Sequence, residues 1–511
     1  MDAEWISRTS SSQKMRNPVL RPWTLQFQLR HQSQTPLYLQ VVQSLIEEIR
    51  RGRIGAGTVL PGTRTLSEQL SVSRKTIISA YDELVAQGWA MSDSTRGTFI
   101  APNLPSLPRW TNATTSMATS PLVGGSFSWR KTPEVIPWVE RSENYLVFDD
   151  GTPDPRLAPV EIIARTYRRA LVRTARRSEL GYGDPRGIFA LRQAISTMLN
   201  SERGLATTAN NICLTRGSQM ALYLCATLLA RPGDYVAIEK LTYPPARTAF
   251  ARTGAHIVTI NVDDGGIVLD DLENVCEQHP IKVLYLTPHH HFPTTVSLRP
   301  ERRLRLLELL KRKGIVVVED DYDHEFHFDH QPLLPLASAS LDHTVYIGSL
   351  SKLISPSLRI GYLVSSTGFV DDIANEIMLI DRQGSPTMET AVAELMGEHI
   401  SSYARKVHGI YKRRRDHFAE ILTNVLGDRL IFDIPAGGLA FWARFREPVC
   451  LPELVERAYQ ERLKILPSNN FYSDGEPPKG IRLGYASMDE KELTEAVNRF
   501  DRAFARGRGS P

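Results

Sequence analysis

One lysine in this sequence stands in a setting that favours covalent chemistry. Lys352 lies in the segment IGSLSKLISPSLRIGY, directly after an apolar stretch, with Ser349 before it and Arg359 after it. A lysine that is removed from water near cationic neighbours has a lowered pKa, and its amine readily forms Schiff bases. Hydroxyl and guanidinium groups bind phosphate. The segment therefore indicates a nucleophilic amine beside an anion site.

Two other segments carry groups that suit the same ligand. TRGSQMALYLCATLL turns through Gly217 into a helix, so Ser218 and Gln219 present N–H groups and a hydroxyl at a helix N-terminus, where anions bind. GIVVVEDDYDHEF is an apolar strand that ends in acids. A carboxylate at Asp320 would keep a pyridinium nitrogen protonated, and Tyr322 points to the same side of the strand.

Two more segments complete this group. ELGYGDPRGIFALRQAIS places Tyr182 before an amphipathic helix, and IRLGYAS contains Arg482, which suits bidentate binding of a carboxylate. Each feature alone is more often ordinary structure, such as a solvated lysine or acids that end a strand at the surface. Their combination favours a single ligand site.

The N-terminal segment LPGTRTLSEQLSVSRKTIISAYDELVAQGW predicts two helices joined by a tight turn. Thr65 and Glu68 have the spacing of a capping box that would open the first helix, and Ser73 suits the N-cap of the second. The second helix would bury one stripe and expose its first turn, which is the part of a recognition helix that reaches bases and phosphates. The predicted buried stripe is Ile77, Tyr81 and Leu84, and the predicted exposed turn is Arg74, Lys75 and Thr76.

The following segment, WAMSDSTRGTFIA, predicts two short strands around a turn, with Arg96 and Gly97 at its tip. Glycine lets a backbone approach a DNA groove closely, and arginine suits a narrow minor groove or a phosphate. This pattern indicates the wing of a winged helix-turn-helix.

From about Asn144 onward, short β-branched runs alternate with amphipathic helical patterns. Strands that are apolar on both faces and alternate with helices predict an α/β fold with a mostly parallel sheet covered by helices. The predicted strands are ICLT, YVAIEK, HIVTINV, VLYLTP, GIVVVEDD, TVYIGSLS and RIGYLVS.

The chain of 511 residues is too long for one ordinary core. We predict a flexible N-terminal arm at 1–35, a winged helix-turn-helix domain at 36–101, a linker at 102–143 and a large domain at 144–511. The linker is rich in Pro, Ser, Thr and Gly, a composition that resists packing and tethers domains.

Composition excludes some functional classes. Hydrophobic residues make up 42% and charged residues 23% of the chain, and no apolar run approaches the roughly 20 residues of a membrane span. The start lacks a secretory pattern, and the four cysteines have no metal-ligand spacing, so we expect buried reduced thiols, a cytoplasmic location and no metal site. The net charge of +4 lies entirely within residues 1–100, a bias too weak to prove nucleic-acid binding.

The ordered string LPGTRTLSEQLSVSRKT, YDELVAQGW and RGTFIA resembles the GntR family of winged-helix regulators over residues 36–101. The resemblance implies operator DNA as a partner. The residues that we accordingly predict to bind DNA are Arg64, Ser73, Arg74, Lys75, Thr76, Arg96 and Gly97.

Residues from about 145 to 505 resemble class I aminotransferases of fold type I, and the whole chain resembles the MocR/GabR-type branch of GntR regulators. This resemblance implies pyridoxal 5'-phosphate on Lys352, a smaller C-terminal α+β subdomain and a head-to-tail homodimer. It implies these further roles: Asp320 at the pyridine nitrogen, Tyr322 at the phenolic oxygen, Tyr243 stacked on the ring, Ser218, Gln219, Ser349 and Arg359 at the phosphate, Tyr182 reaching the partner's cofactor, and Arg482 at a ligand carboxylate.

Two segments depart from the family pattern. The chain has TPHHHFPTTVS where the family usually reads TPSHQ-aromatic-PTG, so His291 replaces Gln and Thr295 replaces Gly. The lysine loop reads SPSLR instead of PGLR, with Ser357 in place of Gly. These changes bear on which amine is accepted and on the shape of the carboxylate side.

Three functions are compatible with these features. The winged helix and linker favour a regulator that senses a small amino compound through aldimine exchange at Lys352, without sustained turnover. The alternatives are an active aminotransferase with an appended DNA-binding domain and a cofactor-free dimerisation scaffold. The sequence leaves open the effector, the operator, and whether transcription rises or falls.

Overall fold

The computed structural model describes residues 29–30, 35–104, 144–177, 180–329, 333–472 and 479–505. The chain divides into two compact units, residues 1–130 and 131–511. Most of the predicted arm and nearly all of the predicted linker lie outside the described residues, so the domain boundaries remain a prediction.

The first unit is a small helical bundle with a two-stranded wing. Its core includes the helical residues Val41, Leu45, Ile77 and Leu84, which are almost completely buried. The two strands pair antiparallel from Ala90 opposite Ile100 to Asp93 opposite Gly97. Its elements are α1 (Leu37–Arg50), α2 (Thr63–Leu70), α3 (Arg74–Ala86), β1 (Ala90–Asp93) and β2 (Gly97–Ile100).

The helix boundaries confirm one predicted cap and correct another. The Ser73 hydroxyl accepts the backbone N–H of Thr76, as predicted for the N-cap of α3. The predicted capping box at Thr65 is wrong, because α2 begins two residues earlier with Gly62 at its N-cap. The N–H of Leu66 already bonds to the Gly62 carbonyl, so Thr65 lies within the helix.

The second unit is an α/β domain, as predicted. Its elements in chain order are β3 (Leu146–Phe148), α4 (Val160–Arg176), α5 (Phe189–Glu202), β4 (Ile212–Thr215), α6 (Ser218–Leu229), β5 (Tyr235–Glu239), α7 (Pro244–Arg252), β6 (His256–Ile260), β7 (Val262–Asp263), β8 (Gly266–Ile267), α8 (Leu269–Gln278), β9 (Ile281–Leu286), α9 (Pro300–Lys313), β10 (Val316–Asp321), β11 (Thr344–Ser349), β12 (Gly361–Val364), α10 (Thr367–Ile380), α11 (Pro386–Glu398), α12 (Ile400–Leu426), β13 (Leu430–Phe432), β14 (Ala440–Phe445), α13 (Leu451–Gln460), β15 (Leu463–Ile465), β16 (Gly480–Gly484) and α14 (Glu490–Ala505).

The central sheet has seven strands in the order β4-β12-β11-β10-β9-β5-β6. The pairs among β11, β10, β9, β5 and β6 are parallel, and β12 runs antiparallel to both of its neighbours, β11 and β4. The prediction of a mostly parallel sheet is confirmed. Because parallel strands end at the same edge, the segments that follow β4, β5, β9, β10 and β11 meet there, and β12 starts from that edge.

Alternating strand residues bury the two faces of the sheet against different helices. Val318 packs with α6, α7 and α10, whereas the adjacent Val317 packs with α8 and α9. This alternation follows the two-residue period of a strand, and burial on both faces explains why the strands read as continuous apolar runs.

The C-terminal part forms the predicted smaller α+β subdomain. Its antiparallel sheet has the order β13-β14-β16, and α12, α13 and α14 share one hydrophobic core with it. No helix among the described residues is long and apolar enough to cross a membrane. All four cysteines are free, but the expectation that all are buried is wrong: Cys276 is half-buried and Cys450 is exposed.

Gly361 gives a test of how β12 positions the start of α6. A Cβ atom on Gly361 would lie 2.5 Å from the carbonyl carbon of Gly217 and 2.7 Å from the backbone nitrogen of Ser218. We expect Gly361→Ala to destabilise the domain by about 1–3 kcal/mol, the usual cost of overpacking. Its thermal unfolding midpoint should fall below that of the wild type.

The matched control is Gly368→Ala, near the start of α10, where a Cβ would meet nothing within 4 Å. This variant should keep or slightly raise the midpoint, because alanine favours helix over glycine. Equal midpoints for the two variants would contradict the close packing of β12 on α6.

Candidate functional site

Lys352 and Arg482 are held by neighbouring carbonyl groups of one backbone segment. The Lys352 Nζ donates a hydrogen bond to the Gly151 carbonyl at 2.7 Å, and the Arg482 Nε donates to the Asp150 carbonyl at 2.9 Å. The segment follows β3, and the buried Asp149 carboxylate fixes its turn by accepting the N–H of Gly151 at 2.9 Å. No sequence pattern predicts the role of this segment, because every residue type supplies the same backbone carbonyl acceptor.

Asp320 is the next-to-last residue of β10, and only one of its two carboxylate oxygens has a hydrogen-bond partner among the described residues. Its Oδ2 accepts the Tyr285 hydroxyl at 3.0 Å, while its Oδ1 is buried and has no hydrogen-bond partner among the described residues. Burial raises the pKa of Asp320 to about 7, against the lowering effects of the Tyr285 hydrogen bond and of Lys352. A buried, unpartnered carboxylate oxygen fits a ligand that carries a cationic N–H group.

An arginine lies over the start of α6. Gly217, the N-cap of this helix, has a φ of 78°, and a Cβ there would lie 3.0 Å from the Arg359 Nη2. That atom also donates to the Arg216 carbonyl at 2.7 Å. Glycine thus lets a guanidinium group approach the N-terminal N–H groups of α6, a combination that suits a phosphate. Ser349 is buried close in sequence to Lys352, and its hydroxyl accepts the Ser351 N–H at 3.1 Å.

Tyr243 interacts with several of the residues that are predicted to bind the cofactor. Its hydroxyl donates to the Gln219 side-chain oxygen at 3.2 Å. Burial raises the pKa of Tyr243, and the charges of Asp320 and Arg359 also act on its hydroxyl. Tyr243 therefore contacts Gln219 directly and lies within electrostatic reach of Asp320 and Arg359.

Tyr322 and Arg482 are also brought together, while Tyr182 stands apart. The Tyr322 hydroxyl donates to the His290 carbonyl at 3.0 Å and lies 3.5 Å from the Arg482 Nη2. Tyr182 is 77% exposed, and the Arg382 guanidinium lies 4.0 Å from its ring centre. Most of the Tyr182 ring is therefore open to another molecule.

The residues predicted to bind DNA differ in exposure and in the hydrogen bonds that they already form. Arg64, Arg74 and Lys75 are exposed around the start of α3, and the Arg74 Nε donates to the Thr63 hydroxyl at 3.2 Å. Thr76 is half-buried, and both its N–H and its hydroxyl bond to Ser73. The capping pair is thus occupied, whereas the basic side chains of Arg64, Arg74 and Lys75 are exposed to solvent.

The wing turn is fixed by one carboxylate. Asp93 Oδ1 accepts the backbone N–H groups of Thr95 at 2.8 Å and Arg96 at 3.0 Å. Gly97 has a φ of 76°, in the left-handed region that glycine adopts readily, and both Arg96 and Gly97 are exposed. The turn therefore presents an arginine at its tip, as predicted.

Comparison with family models decides the identity of both units. The aminotransferase class I and II family matches residues 147–500, and the bacterial regulatory proteins of the gntR family match residues 37–100. The chain belongs to the aminotransferase class I and II family and carries a gntR-type DNA-binding domain. It is a transcription regulator with an aminotransferase-like domain, and its cofactor is pyridoxal phosphate.

Individual relatives match either nearly the whole chain or about 70% of it. The probable rhizopine catabolism regulatory protein MocR of Rhizobium meliloti is 29% identical, over 93% of this chain and 95% of its own length. The regulator TauR of Rhodobacter capsulatus is 27% identical, over 90% and 95%. The structure of LysN, an α-aminoadipate aminotransferase of Thermus thermophilus complexed with N-(5'-phosphopyridoxyl)-L-leucine, matches with a TM-score of 0.67 and 27% identity, over 71% of this chain and 93% of that one.

The departures from the aminotransferase pattern have structural consequences. The buried His291 ring bridges the Leu241 carbonyl, 2.9 Å from Nε2, and the Thr294 hydroxyl, 2.6 Å from Nδ1. Burial lowers the pKa of His291 to about 3, so it acts as a neutral link between two loops. Thr295 has a φ of 63°, where a β-branched residue is strained and glycine is not.

Asp320→Asn tests the role of the open carboxylate oxygen. We expect the regulator to bind pyridoxal phosphate about 10–150-fold more weakly, because a charge-assisted hydrogen bond of about 1.5–3 kcal/mol is lost. The difference in cofactor affinity between this variant and the wild type should widen as the pH rises through about 7, because Asp320 of the cofactor-free protein becomes ionised there. Cofactor affinity would be measured by visible absorbance across this pH range.

The control is Glu239→Gln, at the end of β5, which β9 separates from β10 in the sheet. Burial raises the pKa of Glu239 to about 8, so it is largely protonated at neutral pH and glutamine closely imitates it. A loss of cofactor affinity as large as that of Asp320→Asn would show that any buried carboxyl group here matters, and not the open oxygen.

Arg74→Ala tests the proposed base contact of α3. If Arg74 reads a base, we expect operator affinity to fall by about 1–3 kcal/mol, with relaxed preference at one position. Binding would be measured on an operator selected from random DNA and on its single-base variants. The exposed Arg51, just after α1 and paired with Glu47, supplies the control Arg51→Ala. Equal loss on every sequence would make Arg74 a phosphate contact.

Proposed function

We propose that this regulator senses a small amine that also carries a carboxylate, by moving the cofactor linkage from Lys352 to that amine. The observation that supports this most directly is the shared anchoring of Lys352 and Arg482 on the successive carbonyls of Asp150 and Gly151. A ligand that releases the lysine and attracts the arginine acts on both hydrogen bonds of one segment.

The cofactor supplies one kind of chemistry here: its aldehyde carbon bonds to a primary amine and exchanges one amine for another. We assign the remaining tasks to the chain as follows. Asp320 holds the pyridine nitrogen, Tyr322 the phenolic oxygen, and Tyr243 stacks on the ring. The phosphate contacts are the start of α6 with Ser218 and Gln219, together with Ser349 and Arg359.

Arg482 sets the class of ligand. Its side chain is 1% exposed, and no carboxylate among the described residues forms an ion pair with it. Its Nε and Nη1 donate to neutral carbonyls, those of Asp150 and, at 2.7 Å, of Pro293, and the guanidinium lies 4.7 Å from the ring centre of Phe292. A buried charge without a counter-ion is costly, so a ligand carboxylate would gain a strong charge-assisted contact.

The segment that anchors both side chains is close in sequence to the chain's entry into the large domain. Asp149, Asp150 and Gly151 come directly after β3, and the chain before β3 leads back to the winged helix. Covalent continuity therefore joins the segment at the ligand site to the DNA-binding part through the predicted linker. The exposed ring of Tyr182 is consistent with a homodimer in which it reaches the partner's cofactor, and we propose the head-to-tail arrangement.

Catalytic transamination is the second candidate function. A 2-aminoadipate transaminase of Thermus thermophilus is 28% identical over 70% of this chain, so the enzyme relatives match the large domain. The regulators MocR and TauR match at least 90% of the chain, including the winged helix. This coverage favours sensing over turnover.

The decisive experiment combines spectra, DNA binding and product analysis. A panel of amino acids would be titrated while the visible cofactor band is followed, and operator affinity and footprint would be measured with and without the responding amine. We expect a change in affinity of roughly 5–150-fold or a changed footprint, because a ligand shifts DNA binding only through differential affinity for two states. We expect no sustained oxo-acid formation.

Lys352→Ala should lose the linkage that borohydride fixes and should lose the DNA response. Lys282→Ala, at an exposed lysine paired with Asp234, should retain both. Rapid multiple-turnover transamination with unchanged DNA binding would reject the sensor and favour the enzyme.

A further inference from the structure

Four histidines gather beside the cofactor site, outside the residues assigned to the cofactor. His289 and His290 follow β9, and His324 and His327 follow β10. Because β9 and β10 are parallel neighbours, their following segments meet at the same edge of the sheet. Two separate stretches of chain thus contribute imidazole groups to one place.

Three of these rings lie at distances suited to sharing an ion. One ring nitrogen from each of His289, His290 and His327 lies within 4.8 Å of the other two. The centre of the His327 ring is 5.6 Å from that of His289 and 5.6 Å from that of His290. Tetrahedral zinc, with bonds of about 2.0–2.1 Å to nitrogen, places its ligand atoms about 3.4 Å apart, a spacing within the 4.8 Å limit that holds for these three nitrogens.

Two of the rings have a buried nitrogen that lacks a hydrogen-bond partner among the described residues. The His290 Nδ1 lies 2.8 Å from the Asp323 Oδ1, so this contact occupies Nδ1 and leaves Nε2 as the ring nitrogen that can face an ion. The Nε2 atoms of His289 and His290 are buried and have no hydrogen-bond partner among the described residues. The two side chains belong to residues that are only 4% and 2% exposed. Unsatisfied buried polar atoms are costly, and a bound cation would satisfy both.

We propose that His289, His290 and His327 bind one divalent transition-metal ion, with Asp323 orienting His290 from behind. A carboxylate on the far nitrogen of a histidine is the usual support of a metal ligand, because it fixes the tautomer and the direction of the ring. Neutral imidazoles favour zinc, copper and nickel over magnesium and calcium. His327 is half-buried, which leaves a side from which an ion can enter.

A second set of three groups, His289, Asp321 and His324, also has its atoms within 4.8 Å, but it is engaged internally. The Asp321 Oδ2 accepts from the Tyr346 hydroxyl at 2.6 Å and lies 2.9 Å from the His324 Nδ1. Arg203 Nη1 lies 3.8 Å from the same oxygen. These partners hold the carboxylate in a hydrogen-bonded network, so the first set is the better metal site.

The proposed ion would act on the backbone that surrounds the ligand. The His290 carbonyl accepts the Tyr322 hydroxyl, and three residues further on the Pro293 carbonyl accepts Arg482. An ion on the His290 ring would therefore restrict the segment that positions both side chains. The metal site itself does not depend on the proposed sensing function, since its ligands are distinct from Lys352 and Arg482.

Zinc binding by the full-length, tag-free protein tests the site. The protein would be treated with a chelator, dialysed and titrated with Zn²⁺ alone, with metal content by mass spectrometry, affinity by calorimetry and the thermal unfolding midpoint as a third readout. We expect one zinc ion per chain and a higher midpoint. Failure of the wild-type protein to retain zinc at this ratio would overturn the proposal.

Single substitutions assign the ligands. His327→Gln, at the most accessible of the three, should lower zinc affinity by more than the 10–100-fold typical of losing an outer-sphere partner. His256→Gln, at an exposed histidine of the far edge strand β6, should leave it unchanged. His324→Gln should retain zinc. Zinc binding by His327→Gln as tight as that of the wild type would refute this set of ligands. Loss of zinc in His324→Gln together with its retention in His327→Gln would refute it as well.

Discussion

The buried guanidinium of Arg482 is the constraint around which the ligand site is arranged. A charged group at 1% exposure needs acceptors, and here it bonds to the backbone carbonyls of Asp150 and Pro293. Those carbonyls belong to the segments after β3 and β9, and the residue after Asp150 also holds Lys352. The charge that would recruit a carboxylate and the amine that would be exchanged are thus joined through one short stretch of backbone.

Much of the fold and part of the site follow from sequence patterns, for physical reasons. The seven apolar runs predict strands, because a strand that is buried on both faces of a sheet needs apolar residues at successive positions. Asp320 and Lys352 are identifiable because they follow such runs, and the ends of parallel strands converge at one edge. Ser73 was predictable as an N-cap, because a hydroxyl just before an amphipathic helix can accept a backbone N–H group of the first turn.

Other features depend on contacts that no local pattern contains. The carbonyls of Asp150 and Gly151 could belong to any residue type, so their role appears only in three dimensions. The histidines of the cluster come from two segments of the chain that are separated by about one helix and one strand. Neither segment alone has the spacing of histidines that is typical of a metal site. The failed capping box at Thr65 shows the limit of spacing arguments, since Gly62 already starts the helix.

We expect ligand binding to act on the segment containing Asp149, Asp150 and Gly151. Hydrogen–deuterium exchange of the peptide spanning residues 145–152, with and without the amine that shifts the cofactor spectrum, measures this directly. Protection of the Gly151 and Thr152 amides, which bond to the Asp149 carboxylate, should change when the amine binds. Unchanged exchange in this peptide at full spectral saturation would contradict it.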